Sequence, residues 1–172
     1  LGQLGFTDHS QAHCVQVAHQ AGKLLKRLGY SEHEIELAKI AGYMHDIGNA
    51  INRTHHAEYG ALLANDLLKE TNMSLEDRVT VISAIGNHDE STGSPEDVIS
   101  AALIIADKTD VRRSRVRQKE KVAFDIHDRV NYAVTDSKLK IDEEKSVIAL
   151  NLQIDENICS MYDYFEIFLD RM

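Results

Sequence analysis

With 172 residues, a formal net charge of -9 and a pI near 5.4, the chain suits one domain with a sizeable core and would be cramped as two. The acidic balance excludes a nonspecific binder of nucleic acid or of an anionic membrane, yet bound divalent cations can reverse the sign locally, so a small phosphorylated substrate stays open. No stretch reaches the ~20 apolar residues of a membrane span and no signal-peptide order opens the chain, so the expected location is cytoplasmic, with no membrane partner.

Along the chain, apolar residues recur at Cys14, Val17, Ala18, Ala21, Leu24, Leu25 and Leu28, the spacing of an amphipathic helix that Gly29 can end, with His13 near its start. Adjacent helical residues diverge by about 100°, so Cys14 reads as core rather than as a partner of His13. Cys14 and Cys159 lack any paired spacing and read as reduced thiols. Ser31 and Glu34 have the pattern of a capping box for a second helix, whose last turn delivers His45 and Asp46 and which Gly48 can end. A third helix is predicted from about His56 to Lys69, with Leu62, Leu63, Leu67 and Leu68 as its apolar stripe. Ser74 with Asp77 resembles another cap, after which Val79, Ile82 and Ile85 lead towards His88.

The run Ser94-Pro95-Glu96-Asp97 is a helix start signal with Pro95 at the first helical position. The helix it opens, Val98 to about Ser114, is nearly all apolar until Asp107. Val122, Ile126, Val130 and Ala133 fit a further helix. Leu139 to Ile141 and Val147 to Ile154 alternate with the period of strands around Asp142-Glu143-Glu144-Lys145, which predicts a β-hairpin. Asp155 can cap a closing helix carrying Ile158, Met161, Tyr162, Phe165, Phe168 and Leu169. Its aromatic stripe reads as core or subunit interface, and a homodimer through the C-terminal region is the assembly it suggests.

The chemistry concentrates in His13, the adjacent pair His45-Asp46, His56, His88 and Asp107. A histidine nitrogen and a carboxylate oxygen at consecutive positions can hold one cation from two directions, and the second carboxylate oxygen stays free for another. His9, His19, His33 and His127 carry no such company and read as ordinary structural or surface histidines.

In order, His13-Cys14-Val15-Gln16-Val17-Ala18, His45-Asp46-Ile47-Gly48, His56-Ala57-Glu58-Tyr59-Gly60, Asn87-His88-Asp89 and Ile105-Ala106-Asp107-Lys108 resemble the HD superfamily of metal-dependent phosphohydrolases, in its HDIG-type binuclear branch. The resemblance covers about residues 8 to 116. It implies a mainly α fold: an HD-domain helical core with a small C-terminal β-hairpin and closing helix, as one domain over 1–172 with an extension from about 117. It also implies two divalent metal ions (Fe, Mn, Co, Ni or Zn), one on His13, His45, Asp46 and Asp107 and the second on Asp46, His56 and His88. His56 is preferred to His55 because only His56 is followed at the family's spacing by glycine, Gly60.

The implied reaction is hydrolysis of a phosphoester or phosphoanhydride of a nucleotide or small phosphorylated metabolite by a metal-bridging hydroxide. Lys108, Arg112 and Arg115 would share a helix face after Asp107, with Lys108 and Arg112 beside Asp46 as catalytic candidates that grip substrate phosphates. Asp89 and Glu90 are candidate proton carriers. Asn49 stands where cyclic-di-GMP phosphodiesterases of the HD-GYP branch carry lysine, and Thr92-Gly93-Ser94-Pro95 lacks their Gly-Tyr-Pro motif. The chain looks more like bacterial diadenosine-polyphosphate HD hydrolases. Two other readings use the same residues: a mixed-valent di-iron oxygenase, and a nucleotide-sensing or interaction module without turnover.

Overall fold

A computed structural model describes residues 11–89, 93–116 and 126–168. Among the described residues are seven α-helices and one two-stranded antiparallel sheet, the helical core with C-terminal hairpin and closing helix expected from the sequence. The chain divides into two compact units, Ser10–Asp107 and a second that takes in the chain from Lys108 onward.

The first unit contains α1 (Gln11–Arg27), α2 (Glu32–Met44), α3 (His56–Leu68), α4 (Leu75–Gly86) and nearly all of α5 (Val98–Lys108), with a 3-10 turn at Ile47–Ala50. Helix α1 packs on α2, α2 also meets α4, and α3 lies between α4 and the 3-10 turn. Both parts of the capping box are present: Ser31 Oγ accepts from the Glu34 amide, and the Ser31 amide donates to Glu34 Oε2 at 2.9 Å. Ser74 caps α4 by accepting from the Asp77 amide.

Of the leucines expected as the stripe of α3, only Leu68 is buried. Leu62 and Leu67 are exposed, and His56, Gly60, Ala64 and Leu68, one every four residues, face inward. Small residues win there because α3 runs against the 3-10 turn: a Cβ on Gly48 would overlap the His56 carbonyl oxygen. Likewise Val79 is exposed, while Val81, Ala84 and Ile85 are buried and point the way to His88. Cys14 is only partly buried.

Helix α5 begins at Val98 as expected but differs in its cap and its end. Asp97, not a residue before Pro95, is its cap: Asp97 Oδ1 accepts from the Ser100 amide at 2.7 Å, while Ser100 Oγ accepts from the Glu96 and Asp97 amides. The helix stops at Lys108 instead of continuing to Ser114, because Asp110 and the arginines after it bond to each other and Arg112 is extended (φ -161°, ψ 148°). Lys108, Arg112 and Arg115 therefore do not share a helix face.

In the second unit, a 3-10 turn at Arg113–Arg115 is followed by α6 (Ile126–Ala133), β1 (Val134–Asp142), β2 (Val147–Ile154) and α7 (Met161–Phe168). The strands pair Leu139 with Leu150 and Ile141 with Ile148, and an irregularity at Val134/Asp136 lets β1 begin five residues before the predicted Leu139. A two-stranded hairpin is marginal alone. Its root is held by a core of Val111, Val130, Ala133, Val134, Cys159 and Tyr164, against which Leu152, Ile154 and Ile158 pack. Ser160, not Asp155, caps α7 by accepting from the Asp163 amide at 3.1 Å; Asp155 instead accepts from the Asn157 amide in a tight turn. Val122 and Leu169 lie outside the described residues. No helix among the described residues is long and apolar enough to cross a membrane.

Candidate metal centre

Helix ends bring the polar side chains together inside the first unit. His13 comes from the first turn of α1, His45 and Asp46 follow the end of α2, His56 opens α3, His88 follows α4, and Asp107 lies in the last turn of α5. His13, His45, Asp46, His56 and His88 are all buried. Burial of so many polar groups is costly unless each finds a partner of opposite character.

Three imidazoles share one local device. Nδ1 of His45 bonds the Gly42 carbonyl (2.8 Å), Nδ1 of His56 the Arg53 carbonyl (3.1 Å) and Nδ1 of His88 the Ile85 carbonyl (2.7 Å), each three residues back. A carbonyl can only accept, so each Nδ1 carries a proton, and a ring that is neutral has its lone pair at Nε2. Asp89 Oδ2, 3.4 Å from His56 Nδ1, reinforces that tautomer.

The Nε2 atoms converge on carboxylate oxygens and on one another. His45 Nε2 is 3.4 Å from Asp46 Oδ2 and 3.7 Å from Asp107 Oδ1, and His13 Nε2 is 3.7 Å and 3.1 Å from the same two oxygens. On the other side, His56 Nε2 lies 3.8 Å from Asp46 Oδ1 and 3.2 Å from His88 Nε2. Neighbouring rings meet edge to face at 5.0–5.2 Å in the series His13, His45, His88, His56. Burial, then the His45 charge, pushes His88 down to about 4; burial, then the Arg53 charge, lowers His56. Burial also opposes charge on His45, but Asp46 and then Asp107 outweigh it and raise its pKa.

Neutral His56 and His88 thus point two lone pairs at each other, and buried His45 Nε2 makes no hydrogen bond. Such a set is satisfied by cations placed between the nitrogens and the carboxylates. His13, His45 and Asp107 offer ligand atoms within 4.8 Å of one another, as do His45, Asp46 and His88. The donor set therefore fits divalent metal.

A family profile, the HD domain, matches residues 11–130. The chain belongs to the HD domain family. HD domains form a class of metal-dependent phosphohydrolases, and the six residues singled out from the sequence of this HD domain are the ones that converge. A Methanocaldococcus jannaschii protein designated MJ1020 is 29% identical over 170 residues, which cover 86% of this chain and 65% of that one. Ribonuclease Y of Aster yellows witches'-broom phytoplasma is 35% identical over 126 residues, 69% of this chain and 22% of that protein. Ribonuclease Y of Staphylococcus epidermidis is 32% identical over 126 residues with the same coverage. The chain therefore spans just under two thirds of the Methanocaldococcus jannaschii relative and about a fifth of Ribonuclease Y. No solved structure is significantly similar to it.

The other candidates are placed differently. His55 adopts a left-handed backbone (φ 61°) and turns outward to Glu58 at 3.2 Å, while His56 faces inward. Lys108 ends α5, and Arg112 lies in the second unit with its guanidinium on the Asp110 carboxylate through Nε at 2.6 Å and Nη2 at 3.3 Å. Glu90 lies outside the described residues. Asn49 of the 3-10 turn and Arg53 just beyond it are site residues that the sequence reading did not single out. Asn49 Nδ2 donates to Asp46 Oδ1 at 2.7 Å, and Arg53 Nη1 donates to Asn49 Oδ1 at 3.3 Å and lies 4.0 Å from Asp46 Oδ1. Their spacing from Asp46, three and then four residues onward, is the signal that marks them as neighbours on successive turns.

Proposed function

We propose that this HD domain is a phosphohydrolase holding two divalent cations, one on His13, His45, Asp46 and Asp107 and the other on Asp46, His56 and His88. The observation that carries the reading is the two-sided environment of Asp46. Its Oδ2 faces His13 and His45 while its Oδ1 faces His56, so the one carboxylate addresses two groups of nitrogens. Bound there, the cations would supply Lewis acidity towards phosphoryl oxygens and lower the pKa of a water to near neutrality.

The chain's own contribution is orientation. Asn49 fixes the plane of the Asp46 carboxylate, and the carbonyls of Gly42, Arg53 and Ile85 fix three imidazole tautomers. Asp89 stays partly exposed at His56, in reach of a proton passing to or from a leaving group. The substrate we propose is a phosphoester or phosphoanhydride of a nucleotide or other small phosphorylated metabolite, in keeping with the net charge of -9. A second reading, an RNA phosphodiester, is favoured by the similarity to two Ribonuclease Y proteins.

The test compares the wild-type chain with Asp46→Ala. Metals per chain are quantified, and product release is followed from nucleotides, dinucleoside polyphosphates and a short oligoribonucleotide. About two metals per chain and turnover reduced at least about 100-fold by the substitution are expected. Oxygen consumption by a di-iron form without hydrolysis would replace this reading with the oxygenase, and absence of metal would remove it.

A further inference from the structure

Arg53 carries a role beyond the reaction class. Its guanidinium is anchored at one corner, where Nη1 donates to Asn49 Oδ1 at 3.3 Å, and its side chain is one third exposed. Nε and Nη2 bond no described residue, so most of its five N–H donors are available in a plane fixed by Asn49. The same Nη1 stands 4.0 Å from Asp46 Oδ1, the oxygen that also faces His56. A guanidinium in that place is awkward if the site's only purpose is to gather cations, because it sits beside a carboxylate that would already be shared between two of them.

Charge explains what it is for. Asp46, Asp89 and Asp107 bring three negative charges to the histidines. Two divalent cations would leave one positive charge over, which the nucleophilic hydroxide would cancel, so the charge of Arg53 is left for the substrate. A terminal phosphoryl group, dianionic near neutral pH, is attracted by that fixed charge about twice as strongly as the single charge of a phosphodiester. The planar fork of arginine also matches two oxygens of a terminal phosphoryl group.

We propose that Arg53 is a substrate-binding residue that selects compounds ending in a dianionic phosphoryl group, such as phosphomonoesters, over phosphodiesters. The proposal rests on the phosphohydrolase reading above, and it gives that site a substrate class. It assigns to Arg53, within the first unit, the phosphate grip that sequence patterning gave to Lys108 and Arg112.

The test uses the full metal-loaded chain with Arg53→Met and Arg53→Lys. Turnover of p-nitrophenyl phosphate and bis-p-nitrophenyl phosphate is measured beside metal content and the affinity for inorganic phosphate by calorimetry. Arg53→Met is expected to lower kcat/KM for the monoester by about 10- to 100-fold, mostly through KM, with a smaller loss on the diester. Metal content should be unchanged, phosphate affinity should fall in parallel, and Arg53→Lys should restore part of each. Equal losses on both esters accompanied by metal loss would overturn the proposal in favour of a structural role, as would unaltered phosphate affinity. If the wild-type chain hydrolyses neither ester, phosphate affinity still decides: dependence on Arg53 keeps the anion site while the hydrolase reading falls.

Discussion

The two units bury polar side chains in opposite ways. Around His45 and Asp46, nitrogen faces nitrogen and carboxylate: the lone pairs of His56 and His88 meet at 3.2 Å, and Nε2 of His13 and of His45 face carboxylate oxygens. In the second unit, opposite charges meet. Asp110 takes Arg112 in a two-pronged contact and lies 3.9 Å from Arg115 Nε, Arg115 also donates to the Asp110 carbonyl, and Arg113 stacks over Tyr132 at 4.6 Å while donating to its carbonyl. The contrast separates a site from a strut: a cluster that satisfies itself is structural, whereas one that is complete only with something added marks where a ligand belongs.

That contrast can be broken from either side. The largest expected effect on stability comes from Asp110→Ala, which strips the carboxylate from two arginines and should destabilise the chain by about 3–5 kcal/mol in urea denaturation while leaving metals per chain unchanged. A fall in metal content would show that the arginine cluster serves the metal centre as well. Divalent metal should do the reverse for the first unit, stabilising it by about 2.7 kcal/mol at a hundredfold excess over its dissociation constant, seen as a rise in Tm that EDTA abolishes. The rise should be absent in Asp46→Ala. An unchanged Tm in the wild type would mean that the facing lone pairs are relieved by protons instead.

Smaller again is Gly48→Ala. Its Cβ would strike the His56 carbonyl oxygen and the Gly60 nitrogen, and separating the 3-10 turn from α3 should cost about 2 kcal/mol. Because His56 opens α3 and moves with it, metal affinity should fall with stability, whereas in Asp110→Ala the two should separate.

The ligand set was legible in the sequence because each member stands at or beside the end of a periodic segment, and side chains at helix ends can converge when the helices themselves pack in parallel or antiparallel array. The hairpin strand Val147–Ile154 was legible for its strict alternation. What stayed hidden was set by contacts distant in sequence or by backbone proximity. Nothing in Ile104 to Ser114 resembles a stop signal, and α5 ends because Asp110 pairs with arginines. Leu62 and Leu67 look like core until α3 is seen to press small residues against the turn at Gly48. Residues 134–138 are too polar to alternate, yet they are strand because β2 supplies the partner. Asn49 and Arg53 escaped notice because neither is a metal-ligand type, though both attach to one.

Each of the three tethered imidazoles is steered by a carbonyl of its own preceding turn, so its aim belongs to a four-residue segment and not to the assembled core. The centre is in that sense modular. A helix or turn that ends in histidine can lend or withdraw one ligand while the aim of the others is kept, which leaves the number of cations held, and with it the chemistry, open to change one segment at a time.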